Sequence, residues 1–163
     1  MLNIGIHFID EIRRVNCNVL PVMYSDIFYN KIKKEDSIVI KSLNLIFKDL
    51  VIERVLIKEV SEDNKIVGGI IGMKEKDKYI LMTLAIYTKF QGKGYGSKLV
   101  EFFIQKVKEK GIRKIEVQVH IDNKHAIEFY TKFGFKRIKT IPKAYPRLSH
   151  PSGYLYELII NTM

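Results

Sequence analysis

The chain has 163 residues, of which 47% are hydrophobic and 28% are charged, and its formal net charge is +10. This length predicts one compact domain over residues 1–163 that buries its core without disulfides or metals. The apolar runs are too short for a membrane span, and no secretory signal is visible at the N-terminus. Cys17 is the only cysteine, so we expect a reducing cytoplasmic compartment, with the nucleus as the alternative.

The positive net charge indicates either binding of polyanions or an ordinary lysine-rich, solvated surface. Basic surfaces attract nucleotide phosphates, ribosomal RNA and acidic proteins. The lysines are scattered along the chain and not packed into one block, which favours an ordinary solvated surface. We therefore predict neither a specific nucleic acid nor a membrane as a partner, and no metal.

The first elements are predicted to be one strand and two helices. Residues 3–8 read as a strand, and Ile12 with Val15 mark a short helix that ends before Pro21, because proline disfavours helical geometry in its predecessor. A second helix follows Ser25, which is its predicted cap. Helical spacing predicts three inward-facing residues in it, namely Ile27, Phe28 and Ile32.

Residues 37–60 allow two readings. They are rich in Ile, Leu and Val, so a β-hairpin turning at Lys48 and Asp49 and an amphipathic helix both fit the pattern. The sequence does not separate the two.

The middle of the chain predicts an antiparallel meander followed by a helix. Turn residues at 62–64 and 74–78 separate β-rich segments, the last of which is 79–87. A glycine-rich turn, QGKGYG, then precedes a helix that Gly111 closes. The apolar stripe of this helix consists of Leu99, Val100, Phe103, Ile104 and Val107.

The C-terminal third predicts a strand, a helix and a closing hairpin. The strand covers 115–121, and the helix begins at Asp122 or Asn123 and ends at Gly134. The hairpin strands are 135–141 and 154–160. This order of elements predicts a mixed α/β arrangement around a central sheet.

The turn Gln91–Gly96 has a functional and a structural reading. Glycines let successive N–H groups point toward one place, and a following helix N-terminus adds partial positive charge, so the turn can hold a pyrophosphate, with Lys93 at the rim. The alternative is an ordinary tight turn. The segment lacks the lysine and Ser or Thr of a P-loop, and the chain order excludes a dinucleotide fingerprint in its usual setting.

A second motif, VHIDNKHAIEFYTKFGFK, covers Val119–Lys136. Together the two segments resemble the acetyl-CoA motifs of the GNAT superfamily of N-acetyltransferases. Nine positions match in order, namely Gln91, Gly94, Gly96, Asn123, Ala126, Phe129, Tyr130, Gly134 and Phe135.

Further segments are similar to the catalytic subunit of NatE-type N-terminal acetyltransferases: VLPVMYSDIFY at 19–29, MTL at 82–84, and AYPR around Tyr145. The resemblance covers most of the chain apart from an atypical insertion around 37–60. It implies a GNAT-like mixed sheet of about seven strands with flanking helices, and acetyl-CoA as cofactor, with coenzyme A as product. The implied substrate is the α-amino group of proteins or peptides, with Met-apolar ends favoured. The implied partners are protein N-termini, and also the ribosome or an auxiliary acetyltransferase subunit.

The same resemblance implies the site residues. Cofactor binding falls to Leu84, Ala85, Ile86, Gln91, Gly92, Lys93, Gly94, Tyr95, Gly96, Ser97, Asn123 and Tyr130. Acceptor binding falls to Leu20, Pro21, Val22, Tyr24, Met82, Gln118 and Tyr145. Structural alternatives exist for two of these groups: Leu20–Val22 can be the end of a packed helix, and Tyr130 can be a core tyrosine.

The implied reaction is direct attack of a neutral amine on the thioester in a ternary complex, with Tyr130 as the acid that protonates the departing thiolate. NatE-like enzymes hold a water with a tyrosine and a histidine, where this chain has Ile80 and Gln118. His120, on the same strand face as Gln118, and Tyr79, beside Ile80, can replace them through a register shift or bulge. The alternative for His120 is a solvent-facing side chain.

Two other functions stay open at this point. One is a GNAT acetyltransferase for a small-molecule amine or for a single ribosomal protein N-terminus. The other is a non-catalytic, ribosome-associated auxiliary subunit. The absence of the NatE-like tyrosine and histidine at Ile80 and Gln118 is compatible with such a role. An α-amino group with a pKa of ~8 is neutral far more often at pH 7 than a lysine with a pKa of ~10.4, which favours an N-terminal acceptor.

Overall fold

The computed structural model of the chain describes residues 4–36, 49–51, 55–62 and 65–161. The helices are α1 (Ile4–Val19), α2 (Asp26–Asp36), α3 (Tyr95–Glu109) and α4 (Lys124–Lys132). The strands are β1 (Asp49–Val51), β2 (Val55–Glu62), β3 (Lys65–Glu75), β4 (Lys78–Ile86), β5 (Lys114–His120), β6 (Lys136–Ile141) and β7 (Gly153–Ile159). A short 3-10 helix covers Thr88–Phe90. No helix among these residues has the length and apolar character needed to cross a lipid bilayer.

The strands form one mixed sheet in the order β1-β2-β3-β4-β5-β7-β6. β4 and β5 are parallel, whereas β1 with β2, β2 with β3, β5 with β7 and β6 with β7 are antiparallel. The predicted mixed α/β class is therefore confirmed. The chain divides into two compact units, the first made of residues 1–73 and 83–103 and the second of 74–82 and 104–163.

In the first unit, α1 and α2 bury their apolar faces. Ile9, Ile12 and Val15 recur at helical spacing in α1 and are fully buried, and Tyr29 and Ile32 of α2 are almost fully buried. A salt bridge joins Arg13 of α1 to Asp26 at the start of α2.

Two predictions for this region were wrong. Residues 4–8 belong to α1 and not to a strand, because the helical periodicity of Ile9, Ile12 and Val15 continues upstream and outweighs a short alternating pattern. Ile27 is 78% exposed, so the buried face of α2 is rotated toward Tyr29 and Ile32.

The ambiguous region 37–60 contains strands in its described part. β1 and β2 pair antiparallel, with Asp49 opposite Lys58, so the hairpin reading is favoured for these residues. The predicted turn at Lys48 and Asp49 was wrong at Asp49, which lies inside β1. Residues 37–48 and 52–54 lie outside the described part of the chain.

In the second unit, β7 lies between β5 and β6. The predicted closing hairpin is confirmed, since β6 and β7 pair antiparallel with a register shift between Arg137 and Lys139. The buried side chains of this unit include Ile115, Val117, Val119, Tyr130, Phe135 and Tyr156. They come from β5, α4, β7 and, for Phe135, the connection between α4 and β6, so α4 and these strands share one core.

Candidate active site

The glycine-rich turn lies between the end of β4 and the start of α3. Gly92 and Gly94 have φ values of +77° and +79°, which side chains with a Cβ rarely adopt. Both are exposed, and no described atom lies within 4 Å of the place a Cβ would occupy at either residue. Because α3 begins at Tyr95, the turn places two exposed glycines directly before a helix N-terminus.

Side chains hold this turn in place. The Gln91 side-chain amide donates to the carbonyl of Ile86 at 2.9 Å, so Gln91 pins the turn to the end of β4. The ammonium groups of Lys89 and Lys93 lie 4.8 and 5.2 Å from the centroid of the Phe90 ring. Exposed glycines, a helix N-terminus and two lysines fit a diphosphate, so the residues present suit the nucleotide part of a coenzyme A thioester.

β4 extends beyond its ladder with β5. The paired residues are Lys78–Leu81 with Lys114–Val117, and β4 then continues through Met82–Ile86. Its side chains alternate, so that Tyr79, Leu81, Thr83 and Ala85 are buried whereas Ile80, Met82 and Leu84 are partly exposed. The predicted pantetheine segment, Leu84–Ile86, therefore lies on the extension of the strand.

Gly68 of β3 allows the close approach of this extension. A Cβ on Gly68 would lie 2.2 Å from Cδ1 of Ile86 and 2.8 Å from the carbonyl oxygen of Ala85. The amide of Tyr87, directly after β4, donates to the carbonyl of Val67 in β3 at 2.9 Å, so a hydrogen bond holds the end of β4 against β3 here. No side chain fits at residue 68 unless β4 moves.

We therefore expect Gly68→Ala to lower the free energy of unfolding by about 1–3 kcal/mol through overpacking, and to weaken acetyl-CoA binding because the Leu84–Ile86 segment must shift. Denaturant titration and calorimetry measure the two effects. Ile86→Val in the Gly68→Ala background removes Cδ1 but leaves the Ala85 carbonyl, so it should restore only part of the stability. Wild-type affinity in Gly68→Ala would contradict the expected shift of the strand.

Tyr79 does not suit the predicted role of helping to hold a water on the Ile80 face of β4. It is fully buried and faces the opposite side of β4 from Ile80 and Met82, and burial raises its pKa to about 12. The pairing of Lys78–Leu81 with β5 runs without a register shift, so the bulge that would turn Tyr79 toward the Ile80 face is absent from this ladder. A fully buried phenol on the core face of β4 is not placed to hold a water on the opposite face.

His120 shares a face of β5 with Gln118, as predicted, and Gln118 is exposed. Both ring nitrogens of His120 are engaged: Nδ1 accepts from the amide of Asp122 at 3.3 Å, and Nε2 donates to the carbonyl of His150 at 2.6 Å. The ring therefore ties β5 to the β6–β7 loop. His120 is therefore a partly exposed side chain whose two ring nitrogens are both engaged in hydrogen bonds.

Asp122 and Tyr145 extend this connection. Nδ1 of His150 donates to the Asp122 carboxylate at 2.6 Å, and this hydrogen bond is the largest cause of the lowered pKa of Asp122. The Tyr145 amide donates to the carbonyl of Pro151 at 2.8 Å, and the Tyr145 ring lies 5.2 Å from that of His120. Tyr145, a predicted acceptor-binding residue, is thus held on an ordered loop.

Asn123 and Tyr130 frame α4. Asn123 is the N-cap, and its side-chain oxygen accepts from the amide of Ala126 at 3.0 Å. Tyr130 is only 6% exposed, and the rings of Phe129 and Phe135 lie 5.3 and 5.4 Å from its ring. The structure supports the core environment of Tyr130, while the proton-donor role stays a prediction.

The α1–α2 loop carries the other predicted acceptor-binding residues. Leu20, Val22 and Tyr24 are partly exposed and Pro21 is exposed. The Leu20 amide donates to the carbonyl of Asn16 at 2.9 Å, which extends the hydrogen bonding of α1 by one residue. Burial raises the pKa of Tyr24, whose ring lies 4.5 Å from that of Phe28. The loop therefore offers a partly open apolar surface.

Sequence reasoning missed a buried polar pair near this loop. Asn16 and Thr83 are each 2% exposed, and the Asn16 amide donates to the Thr83 hydroxyl at 3.2 Å. The signal was present, because Asn16 follows Ile12 by four residues and Ile9 by seven and so lies on the apolar stripe of α1.

Comparison with known proteins gives the family. The model of the Acetyltransferase (GNAT) family matches residues 24–135. N-alpha-acetyltransferase 50 of Danio rerio is 26% identical over 152 residues, which are 93% of this chain and 82% of that protein. The [ribosomal protein bS18]-alanine N-acetyltransferase of Haemophilus influenzae is 34% identical over 101 residues, 62% of this chain and 66% of that protein.

A solved structure shares the fold. Arabidopsis thaliana Naa50, in complex with the bisubstrate analogue CoA-Ac-MVNAL, superposes with a TM-score of 0.72 at 21% identity, covering 100% of this chain and 95% of that chain. The family match spans the turn Gln91–Gly96 and the helix that begins after Asn123. The chain belongs to the acetyltransferase (GNAT) family, and it is an N-acetyltransferase that uses acetyl-CoA.

Proposed function

We propose that the chain acetylates the N-terminal α-amino group of proteins or peptides and prefers Met followed by an apolar residue. The observation that carries the proposal is the α1–α2 loop, where Leu20, Pro21 and Val22 leave apolar surface open next to a helix that is hydrogen-bonded to β4. Support also comes from the relative named N-alpha-acetyltransferase 50 and from the analogue CoA-Ac-MVNAL, whose peptide begins with Met-Val. Because the chain is an N-acetyltransferase, the alternative of a non-catalytic, ribosome-associated auxiliary subunit is removed.

The cofactor residues act in binding and orientation. When bound, acetyl-CoA supplies an acetyl group activated as a thioester. The amides around Gly92 and Gly94 and the N-terminus of α3 hold the diphosphate, with Lys93 adding positive charge. The main chain of Leu84–Ile86 orients the pantetheine arm and stabilises negative charge that develops on the acetyl oxygen.

Proton transfer is the least demanding part of the reaction. Tyr130 would donate the proton that the departing sulfur takes up, since a phenol with a pKa of ~10 can protonate a thiolate with a pKa of ~8.5 at small cost. The attacking nitrogen would lose one proton to solvent as the amide forms, and the phenolate of Tyr130 would regain one from solvent. Neither Tyr79 nor His120 has the geometry of a base. The chain therefore relies on the fraction of the α-amino group that is already neutral at physiological pH.

The pH dependence follows from this reliance. We expect kcat/KM for the peptide to rise with pH through a midpoint near ~8, the pKa of the α-amino group, because only the unprotonated amine attacks. Steady-state rates from pH 6 to 9.5 measure the profile. A peptide whose terminal amine has a lower pKa should move the midpoint down by the same amount. An unmoved midpoint would show that an enzyme group, and not the amine, controls the ascent.

A panel of short peptides tests the acceptor class. Peptides starting with Met-Leu or Met-Val should have the highest kcat/KM, those starting with Ala or Ser a lower value, and free polyamines no activity. The relative from Haemophilus influenzae makes an alanine terminus the second candidate. Preference for Ala over Met would replace the proposed acceptor by that alternative, and activity on small amines alone would refute both.

The charge of +10 supports a further part of the proposal. A basic chain approaches ribosomal RNA readily, which suits an enzyme acting on nascent N-termini, either alone or beside an auxiliary subunit. The cytoplasm is the corresponding compartment.

A further inference from the structure

We propose that Asn16 is a positioning residue for peptide acetylation, because it couples the acceptor loop to the strand that orients the thioester. The inference rests on the proposed acetylation of peptide N-termini. It is carried by three hydrogen bonds of Asn16 and by one buried, unpaired oxygen of its side chain, all inside the first compact unit.

The first step is the link to the acceptor loop. The Asn16 carbonyl accepts the amide of Leu20 at 2.9 Å, so the last turn of α1 and the first predicted acceptor residue share a hydrogen bond. Leu20 leads directly into Pro21 and Val22. Any displacement of Asn16 along the helix axis therefore moves the start of the loop.

The second step is the link to β4. Nδ2 of Asn16 donates to the Thr83 hydroxyl at 3.2 Å. Thr83 directly precedes Leu84, the first residue of the segment proposed to hold the pantetheine arm and the acetyl oxygen. One side-chain amide thus joins the elements proposed to bind the two substrates.

The third step is the link to α2. Nδ2 of Asn16 also donates to the Tyr29 hydroxyl at 3.0 Å. The ring of Tyr29 lies 5.1 Å from that of Phe28, and Phe28 lies 4.5 Å from Tyr24. This aromatic chain returns from α2 to Tyr24, so both ends of the acceptor loop connect to Asn16.

The fourth step concerns Oδ1. Among the described residues, Oδ1 of Asn16 is buried and accepts no hydrogen bond. Both hydroxyl partners lie at the Nδ2 end, so rotating the amide by 180° would leave Nδ2 unpaired instead. A buried polar atom without a partner destabilises a protein. Stability alone is therefore a poor explanation for an amide at this position, whereas its directional hydrogen bonds place α1, α2 and β4.

Three variants test the role of the amide. Asn16→Leu removes the amide at similar volume, Thr83→Val removes the hydroxyl at similar shape, and Thr83→Ser keeps the hydroxyl. Asn16→Leu and Thr83→Val should each lower kcat/KM for a Met-Leu peptide by about five- to tenfold, the free energy of one buried hydrogen bond expressed as a ratio. Thr83→Ser should stay within about twofold of the wild type, both in kcat/KM and in the Kd for acetyl-CoA.

Asn18→Leu is the matched control. Asn18 lies on the same helix but is exposed, and its amide donates to the carbonyl of Arg14 at 2.7 Å within α1. This variant should keep the wild-type kcat/KM. Hydrogen exchange of the amides in 17–24 should accelerate in Asn16→Leu and not in Asn18→Leu, a readout that needs no turnover.

The outcomes separate this inference from the function on which it rests. If wild-type protein acetylates the peptide and Asn16→Leu loses thermal stability but keeps kcat/KM and the exchange rates of 17–24, Asn16 is only structural and the inference is overturned. If the wild type acetylates no peptide N-terminus, the proposed function fails and the inference fails with it. Equal losses in Thr83→Val and Thr83→Ser would also overturn it, because the hydroxyl would then be irrelevant.

Discussion

Gly94→Ala is expected to raise the Kd for acetyl-CoA by at least about tenfold, because hydrogen bonds to a charged group are worth about 1.5–3 kcal/mol each and the turn supplies several amides. Gly94 has a φ of +79°, and a Cβ there both strains the backbone by about 1–2 kcal/mol and points into the space proposed for the diphosphate. Calorimetric titration with acetyl-CoA measures the loss directly.

Gly111→Ala is the control for backbone strain. Gly111 follows α3, has a φ of +69°, and likewise has no described atom within 4 Å of a built Cβ. Both substitutions should lower the free energy of unfolding by similar amounts, and only Gly94→Ala should weaken binding. Equal Kd values for acetyl-CoA in the two variants would mean that Gln91–Gly96 is an ordinary tight turn and does not bind the diphosphate.

The second large effect is expected for Tyr130→Phe. Removing the hydroxyl should lower kcat by about 10- to 100-fold, at the lower end of general acid catalysis, because a thiolate with a pKa of ~8.5 is already a fair leaving group. The Kd for acetyl-CoA should change little, since the ring keeps its packing against Phe129 and Phe135. Single-turnover rates separate this chemical step from product release.

Tyr156→Phe controls for the loss of a buried hydroxyl. Tyr156 lies in β7 of the same unit and has the same 6% exposure as Tyr130. The two variants should have comparable stability, and Tyr156→Phe should keep its kcat. An undiminished kcat in Tyr130→Phe would show that Tyr130 is only a core tyrosine. Solvent would then be the source of the proton for the departing sulfur.

The local predictions that held depend on short-range patterns. The stripe of α3, its closure at Gly111 and the cap of α4 at Asn123 follow from helical periodicity and capping chemistry, which neighbouring residues settle by themselves. The same reasoning failed at residues 4–8, where an alternating run of apolar residues fits a strand or a helix equally well. It also failed at Ile27, because the direction of a helix face depends on what packs against it.

The residues predicted to assist removal of the amine proton show a second limit of prediction from sequence. Tyr79 and His120 were chosen because each lies near a position where NatE-like enzymes have a catalytic side chain. Strand alternation sends Tyr79 into the core, and the two nitrogens of His120 are engaged by His150 of the β6–β7 loop and by Asp122, just after the end of β5. Neither the loop conformation nor the regular β4–β5 register is encoded within a few residues of these side chains.

The sequence by itself determined the family, the mixed α/β class and the coenzyme. These follow from the spacing of the glycines and of the residues around Asn123 and Tyr130, which is a local property of the sequence. Only the tertiary structure decided that His120 is a loop anchor, that Tyr79 is buried, and that Asn16 joins α1 to Thr83. The reason is that hydrogen bonds between residues 67 positions apart in the chain exist only after helices and strands have packed, and packing depends on all of their faces at once.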